Sequence, residues 1–124
     1  MKILVIDPSP DANKMLSIAL ERGGHSVIGV MNPDAVMATL QNQVPSFDGV
    51  TISLNLPTIG VGYHFLEKIR KGYPKMLIVV ISGYGEEEVR GRCKELGADG
   101  YFIKGTPNIP QDLNALIAGW DTSS

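Results

Sequence analysis

The sequence predicts an α/β domain, a doubly wound parallel sheet of five strands with helices on both faces. Three observations predict it. Short apolar runs alternate five times with segments whose apolar residues recur at helical spacing. Such alternation implies parallel pairing, because each helix carries the chain back to the end where the last strand began. The run Met76–Ile81 is apolar throughout, and Val50–Leu54 is broken only by the small hydroxyl residues Thr51 and Ser53, as suits strands covered on both faces. The chain has 124 residues, 44% of them hydrophobic, which suits one domain with one core.

Ile3–Ile6 is the first strand, broken by Asp7-Pro8-Ser9-Pro10. A helix is expected from about Asp11, with Ala12, Met15, Leu16, Ala19 and Leu20 on its apolar face and Gly23-Gly24 at its end. Ser26–Val30 is a less apolar strand, as at a sheet edge. Asn32 caps the next helix, Pro33 occupies its first turn, and Val36, Met37 and Leu40 face inward. The third strand, Val50–Leu54, carries Ser53 near its carboxyl end, and Leu56-Pro57 leaves it. A loop at Thr58–Gly62 precedes a helix buried through Phe65, Leu66 and Ile69, stopped at Gly72-Tyr73-Pro74. The strand Met76–Ile81 turns at Ser82-Gly83-Tyr84-Gly85 into a helix over Glu86–Leu96. There Val89, Cys93 and Leu96 share a face, Glu88 and Arg92 sit at pairing distance, and Gly97 is the cap. Gly100–Ile103 is the last strand, and Leu113, Leu116, Ile117 and Trp120 stripe the last helix. Residues 1–120 form the domain, and 121–124 read as a polar tail or the start of a link to a further domain.

Composition narrows the function. A net charge of −2 without a basic run gives no nucleic-acid footprint. The single cysteine, Cys93, excludes an internal disulfide and a multi-cysteine metal site. The apolar start is too short for a signal peptide or a membrane span, so a cytoplasmic protein is expected.

The marks along the chain resemble, in order and spacing, the receiver domain of bacterial two-component response regulators. They are Ile3–Asp7, Phe47-Asp48, Leu54–Pro57, Val80–Gly83 and Gly97–Lys104. The resemblance covers nearly the whole chain and implies the flavodoxin-like strand order 2-1-3-4-5. It also implies a chemistry in which a histidine kinase passes a phosphoryl group to an aspartate after the third strand. That acyl phosphate needs magnesium held by acidic oxygens, a hydroxyl after the fourth strand and a lysine after the fifth.

The chain departs from that pattern at the acids. Ser53 stands at the acceptor position, and Pro8 replaces the second acid beside Asp7. Ser82 and Lys104 match the hydroxyl and the lysine, Gly105 follows Lys104 in place of the usual proline, and the loop Thr58–Gly62 reads one residue longer than usual. A serine is unreactive without a base, and neither His25 nor His64 is placed to act as one. One carboxylate is too little charge for magnesium, so weak or no metal binding is expected, and Asp7 is expected to pair with Lys104 instead. Ser82 reads as a turn residue, and the Glu86-Glu87-Glu88 run as a solvated first turn. Tyr101 sits at the family's aromatic switch position, and its other reading is a packed ring with a surface hydroxyl.

The expected function is a receiver-like signalling module, not an enzyme, that binds a kinase or effector domain without aspartyl phosphorylation. Its working surface would be the fourth helix, fifth strand and fifth helix. The alternatives are atypical phosphorylation, for example on Ser53, and a small-ligand site in the crevice beside Asp7 and Ser53. Against the latter, prolines stand where a glycine-rich phosphate cradle would be.

Overall fold

A computed structural model describes residues 1–120; the expected polar tail at 121–124 lies outside the described residues. The strands are β1 (Lys2–Ile6), β2 (Ser26–Val30), β3 (Gly49–Ile52), β4 (Leu77–Ser82) and β5 (Gly100–Ile103). The helices are α1 (Pro10–Arg22), α2 (Val36–Asn42), α3 (Ile59–Gly72), α4 (Glu87–Leu96) and α5 (Ile109–Ala118). All pairings are parallel and the strand order is β2-β1-β3-β4-β5, so β2 and β5 are the edges.

Side chains alternate across a strand, and the inner strands are apolar at most positions because both faces are covered, with Thr51 of β3 a buried exception. Leu4, Ile6, Val50, Ile52, Ile78 and Val80 face one way and pack with Leu40, Leu66, Ile69 and Cys93 from α2, α3 and α4. Ile3, Val5, Val79 and Ile81 face the other way and pack with Leu16, Leu20, Leu113 and Ile117 from α1 and α5. Trp120, just past α5, packs against this second cluster. Among the described residues no helix is long and apolar enough to cross a membrane.

Several boundaries and faces differ from the sequence reading. Helix α1 starts at Pro10 with Ser9 as its cap, Oγ accepting from the Ala12 amide at 3.3 Å. Its buried line is Asn13, Leu16 and Leu20, which turns Met15, expected inside, out to solvent at 70% exposure. Asn13 takes that inner place because its amide donates to the carbonyls of Val5 (3.3 Å), Asp7 (3.1 Å) and Val30 (3.1 Å). A polar group is tolerated there because it is hydrogen-bonded. Asn32 does cap, accepting from Asp34, but a single 3₁₀ turn, Pro33–Ala35, precedes α2.

Strand β3 ends at Ile52, two residues before the expected Leu54. The segment Thr58–Gly62, read as a long loop, is helical: Thr58 caps α3 by accepting from the Val61 amide at 3.4 Å, and Ile59–Gly62 form the first turn. That turn lies directly on the chain leaving β3. A Cβ at Gly62 would sit 2.2 Å from the Leu54 carbonyl oxygen. On α4, Arg92 pairs with Glu95 at 3.4 Å rather than with Glu88, while Gly97 closes the helix at φ +112°.

At the amino ends of β4 and β5, Arg70 of α3 ties four segments together. It donates to the carbonyls of Pro74 and Met76 (2.9 Å each) and of Gly97 (2.8 and 2.9 Å), and to the Asp99 carboxylate at 2.7 Å. Asp99 also accepts the Ile78 amide at 2.9 Å.

Candidate functional site

Parallel pairing puts every carboxyl end at one edge of the sheet, and an open α/β sheet places its chemistry in the crevice there. Four polar side chains arrive at that edge. Asp7 follows β1, Ser53 follows β3, Ser82 ends β4 and Lys104 follows β5. Backbone bonds carry the ladder one residue past each strand: Asp7 N–H to the Val30 carbonyl (3.1 Å), Ser53 N–H to Ile6 (2.9 Å) and Lys104 N–H to Ser82 (2.8 Å). The three small side chains are buried, Asp7 at 1%, Ser53 at 3% and Ser82 at 1% exposure.

Lys104 Nζ lies 2.9 Å from Asp7 Oδ2, a bridge from the fifth strand to the first across the ends of the two between them. This is the pair the sequence led us to expect. The other carboxylate oxygen, Oδ1, accepts the Ser9 amide at 2.9 Å. Asp7 is fully buried while the lysine side chain keeps 33% exposure, so the cation is the cheaper partner to hold in water. The lysine contact is ionic rather than a well-directed hydrogen bond, for Oδ2 has no hydrogen-bond partner of good geometry. Pro8, next to Asp7, points no acid into the pocket.

Neither histidine serves Ser53 as a base. His25 stands before β2 with Nδ1 3.2 Å from the N-terminal amine, and His64 is exposed on α3. Burial, then the nearby terminal ammonium, lowers the pKa of His25.

Ser82 behaves as a turn residue, its Oγ accepting the Tyr84 amide at 3.2 Å. Tyr101 is half-buried and its hydroxyl is not left at the surface: it donates to the Tyr84 carbonyl at 2.5 Å. Burial raises the Tyr101 phenol above its ordinary pKa, and the Ser82 hydroxyl opposes that rise. The Arg90 guanidinium of α4 stands 5.3 Å from the centre of the Tyr101 ring. Tyr84 reaches on, its hydroxyl donating to Asn55 Oδ1 at 3.2 Å in the segment after β3. Tyr84 thus joins Ser82, Tyr101 and Asn55. Reading the sequence missed Tyr84, Asn55 and Arg90, because nothing in their spacing marks the contact of Tyr84 with Asn55 between loops or of Arg90 on α4 with Tyr101 on β5.

The small-ligand site in the crevice beside Asp7 and Ser53 is an alternative reading of the sequence, and one groove near this end lies elsewhere. A groove of about 410 Å³ runs between α1 and the start of α5, lined by Met15, Leu16, Ile81, Lys104 and Pro107 among others, and neither Asp7 nor Ser53 lines it. Cys93 is fully buried, as expected of a core residue, and burial pushes its thiol up to about 11.

Residues 3–118 match the family model described as the response regulator receiver domain. Among curated proteins, the chain is 30% identical over 117 residues to the photosynthetic apparatus regulatory protein RegA of Rhodobacter capsulatus. It is 29% identical over 118 residues to the phosphate regulon transcriptional regulatory protein PhoB of Escherichia coli. It is 26% identical over 116 residues to the response regulator protein FleR of Pseudomonas aeruginosa. Each match covers 94% of this chain but only 61%, 49% and 23%, respectively, of the relative. A receiver domain from Methanospirillum hungatei superposes with a TM-score of 0.82 at 26% identity, over 94% of this chain and 90% of that one. CheY4 of Vibrio cholerae, at 23% identity, has a TM-score of 0.82 over 97% and 98% of the two chains, a likeness of fold.

Proposed function

Because the chain belongs to the response regulator receiver domain family, we propose that it is a receiver that signals through protein contacts without being phosphorylated on aspartate. The observation that carries this reading is the pocket itself. Ser53 stands after β3 where an acceptor carboxylate is needed, and the one acid present, Asp7, is already engaged by Lys104. A serine ester would be stable rather than labile, and Ser53 is buried with neither histidine placed beside it, which also disfavours Ser53 as an atypical acceptor. A metal would have to displace Lys104 to reach a single carboxylate, so magnesium binds weakly or not at all. On this reading the domain performs no chemistry and works in the cytoplasm. Its partners are a histidine kinase or an effector domain docking on α4, β5 and α5 around Tyr101.

The test is incubation with acetyl phosphate, or with beryllium fluoride, in the presence of magnesium. Mass spectrometry should show no adduct and amide chemical shifts should stay in place; a stoichiometric phospho-adduct on a pocket residue overturns the reading. Interface energy concentrates on central aromatic residues, at about 2 kcal/mol or more each. Tyr101→Ala should therefore weaken a captured partner while the melting curve stays cooperative. Undiminished affinity would place the interface elsewhere.

A further inference from the structure

We propose that the groove between α1 and the start of α5 is a binding site for an uncharged, largely apolar small molecule whose carbonyl oxygen accepts a hydrogen bond from Lys104. The groove holds about 410 Å³, within the usual size of a small-molecule site. Its floor belongs to the core: Leu16, Ile81 and Ile109 line it and are 7%, 2% and 8% exposed. Met15 also lines it, yet is 70% exposed. An unbranched thioether adapts readily to an incoming shape, and a bound molecule would cover apolar surface that the fold leaves in water. Pro107 and Pro110 add walls whose backbone is already stiff, so little ordering is spent on binding.

Lys104 is the one charged residue that lines the groove. Its side chain keeps 33% exposure while its ammonium lies 2.9 Å from Asp7 Oδ2. An ammonium has three N–H donors, so this one contact leaves hydrogens to give. Thr106, the hydroxyl in the lining, already donates to the Ile103 carbonyl at 2.8 Å. Asp7 decides the charge of the ligand. It is 1% exposed, and its charge already offsets that of Lys104. A carboxylate would set a second anion against one cation, beside a buried acid, and an amine would meet Lys104 as a like charge. A carbonyl oxygen accepts from the ammonium without adding charge, and the rest of the molecule lies against apolar walls. Ser53 does not line the groove, so the site stands whether or not the pocket takes phosphate.

The probes are acetonaphthone, its hydrocarbon counterpart ethylnaphthalene and its carboxylate counterpart naphthoate, each titrated into the whole chain and followed by amide chemical shifts. The ketone should bind about tenfold more tightly than the other two and move the amides of Leu16, Lys104, Gly105 and Thr106. Ala12→Leu, which adds bulk to the groove from α1, should weaken the ketone and the hydrocarbon alike. Lys104→Met with Asp7→Asn removes both charges together, and should bring the ketone down to the affinity of the hydrocarbon. Melting curves verify folding, and Ala12→Leu keeps the test decisive if the double variant does not fold. Equal binding of ketone and hydrocarbon, tighter binding of naphthoate, shifts confined to another surface, or undiminished ketone binding by Ala12→Leu overturns the proposal. Sedimentation that shows the chain pairing with itself, with the same amides moving on protein concentration alone, overturns it too, because the groove would then be an interface between copies.

Discussion

Two side chains, Pro8 and Ser53, separate this pocket from one with three acids, since Asp7, Ser82 and Lys104 already stand at the same sheet edge. Pro8→Asp with Ser53→Asp should therefore create a magnesium site and an acceptor together. Gathered carboxylates repel in the absence of metal, so the double variant should melt below the parent and recover when magnesium is added. Asp7 must also let go of Lys104 to bind the ion. Mass spectrometry after acetyl phosphate should then show one phosphoryl group. If neither magnesium stabilisation nor uptake occurs, the pocket differs by more than its acids, and Gly105 beside Lys104 is the first residue to change. Cys93 offers a second residue-level test. Its thiol is raised from 9.0 to about 11 by burial, so the folded state holds a proton that the unfolded state gives up first. The sign follows: this contribution to stability is fully present below about pH 9.0 and is lost as pH rises toward 11. A thiol reagent at pH 8 should label native protein only as fast as it opens; rapid labelling would place Cys93 outside the core.

At the scale of elements, α3 shows what a sequence hides. Its apolar stripe through Leu66 and Ile69 was legible from spacing, but its first turn was not, because Ile59-Gly60-Val61-Gly62 has two glycines and no periodic contrast. Only the packing explains Gly62, whose hydrogen faces the Leu54 carbonyl. Gly62→Ala should thus destabilise by about 1–3 kcal/mol despite the better helix propensity of alanine. Thr58→Ala, which removes the cap, should cost about 1 kcal/mol. Denaturant titration ranks the two, and an Ala at 62 that stabilises would mean the turn can move away from β3. The five strands and their parallel sense were legible because short, largely apolar runs alternate with helical stretches. The inner face of α1 was not, since Asn13 is buried through three hydrogen bonds and a hydropathy pattern counts it as polar. In the pocket, the meeting of Asp7 with Lys104 followed from strand ends and opposite charge. The Asn55–Tyr84–Tyr101 chain depends on loop geometry that no spacing encodes.

At the scale of the whole molecule, the sheet separates two apolar clusters, and its two ends do different things. Polar side chains gather where the strands finish. Where β4 and β5 begin, Arg70 gathers the carbonyls of Pro74, Met76 and Gly97 and the Asp99 carboxylate. Arg70→Ala would strip donors from several carbonyls and a half-buried acid at once, for a loss of about 2–4 kcal/mol. Arg70→Lys should rescue little, because an ammonium cannot fork to Gly97 and Pro74 together. Thermal melting decides it: a loss confined to the range of a lone surface ion pair would show that the junction is dispensable. Because Arg70 acts at the end of the sheet opposite the pocket, its loss should weaken the fold while the Asp7–Lys104 bridge keeps its contact.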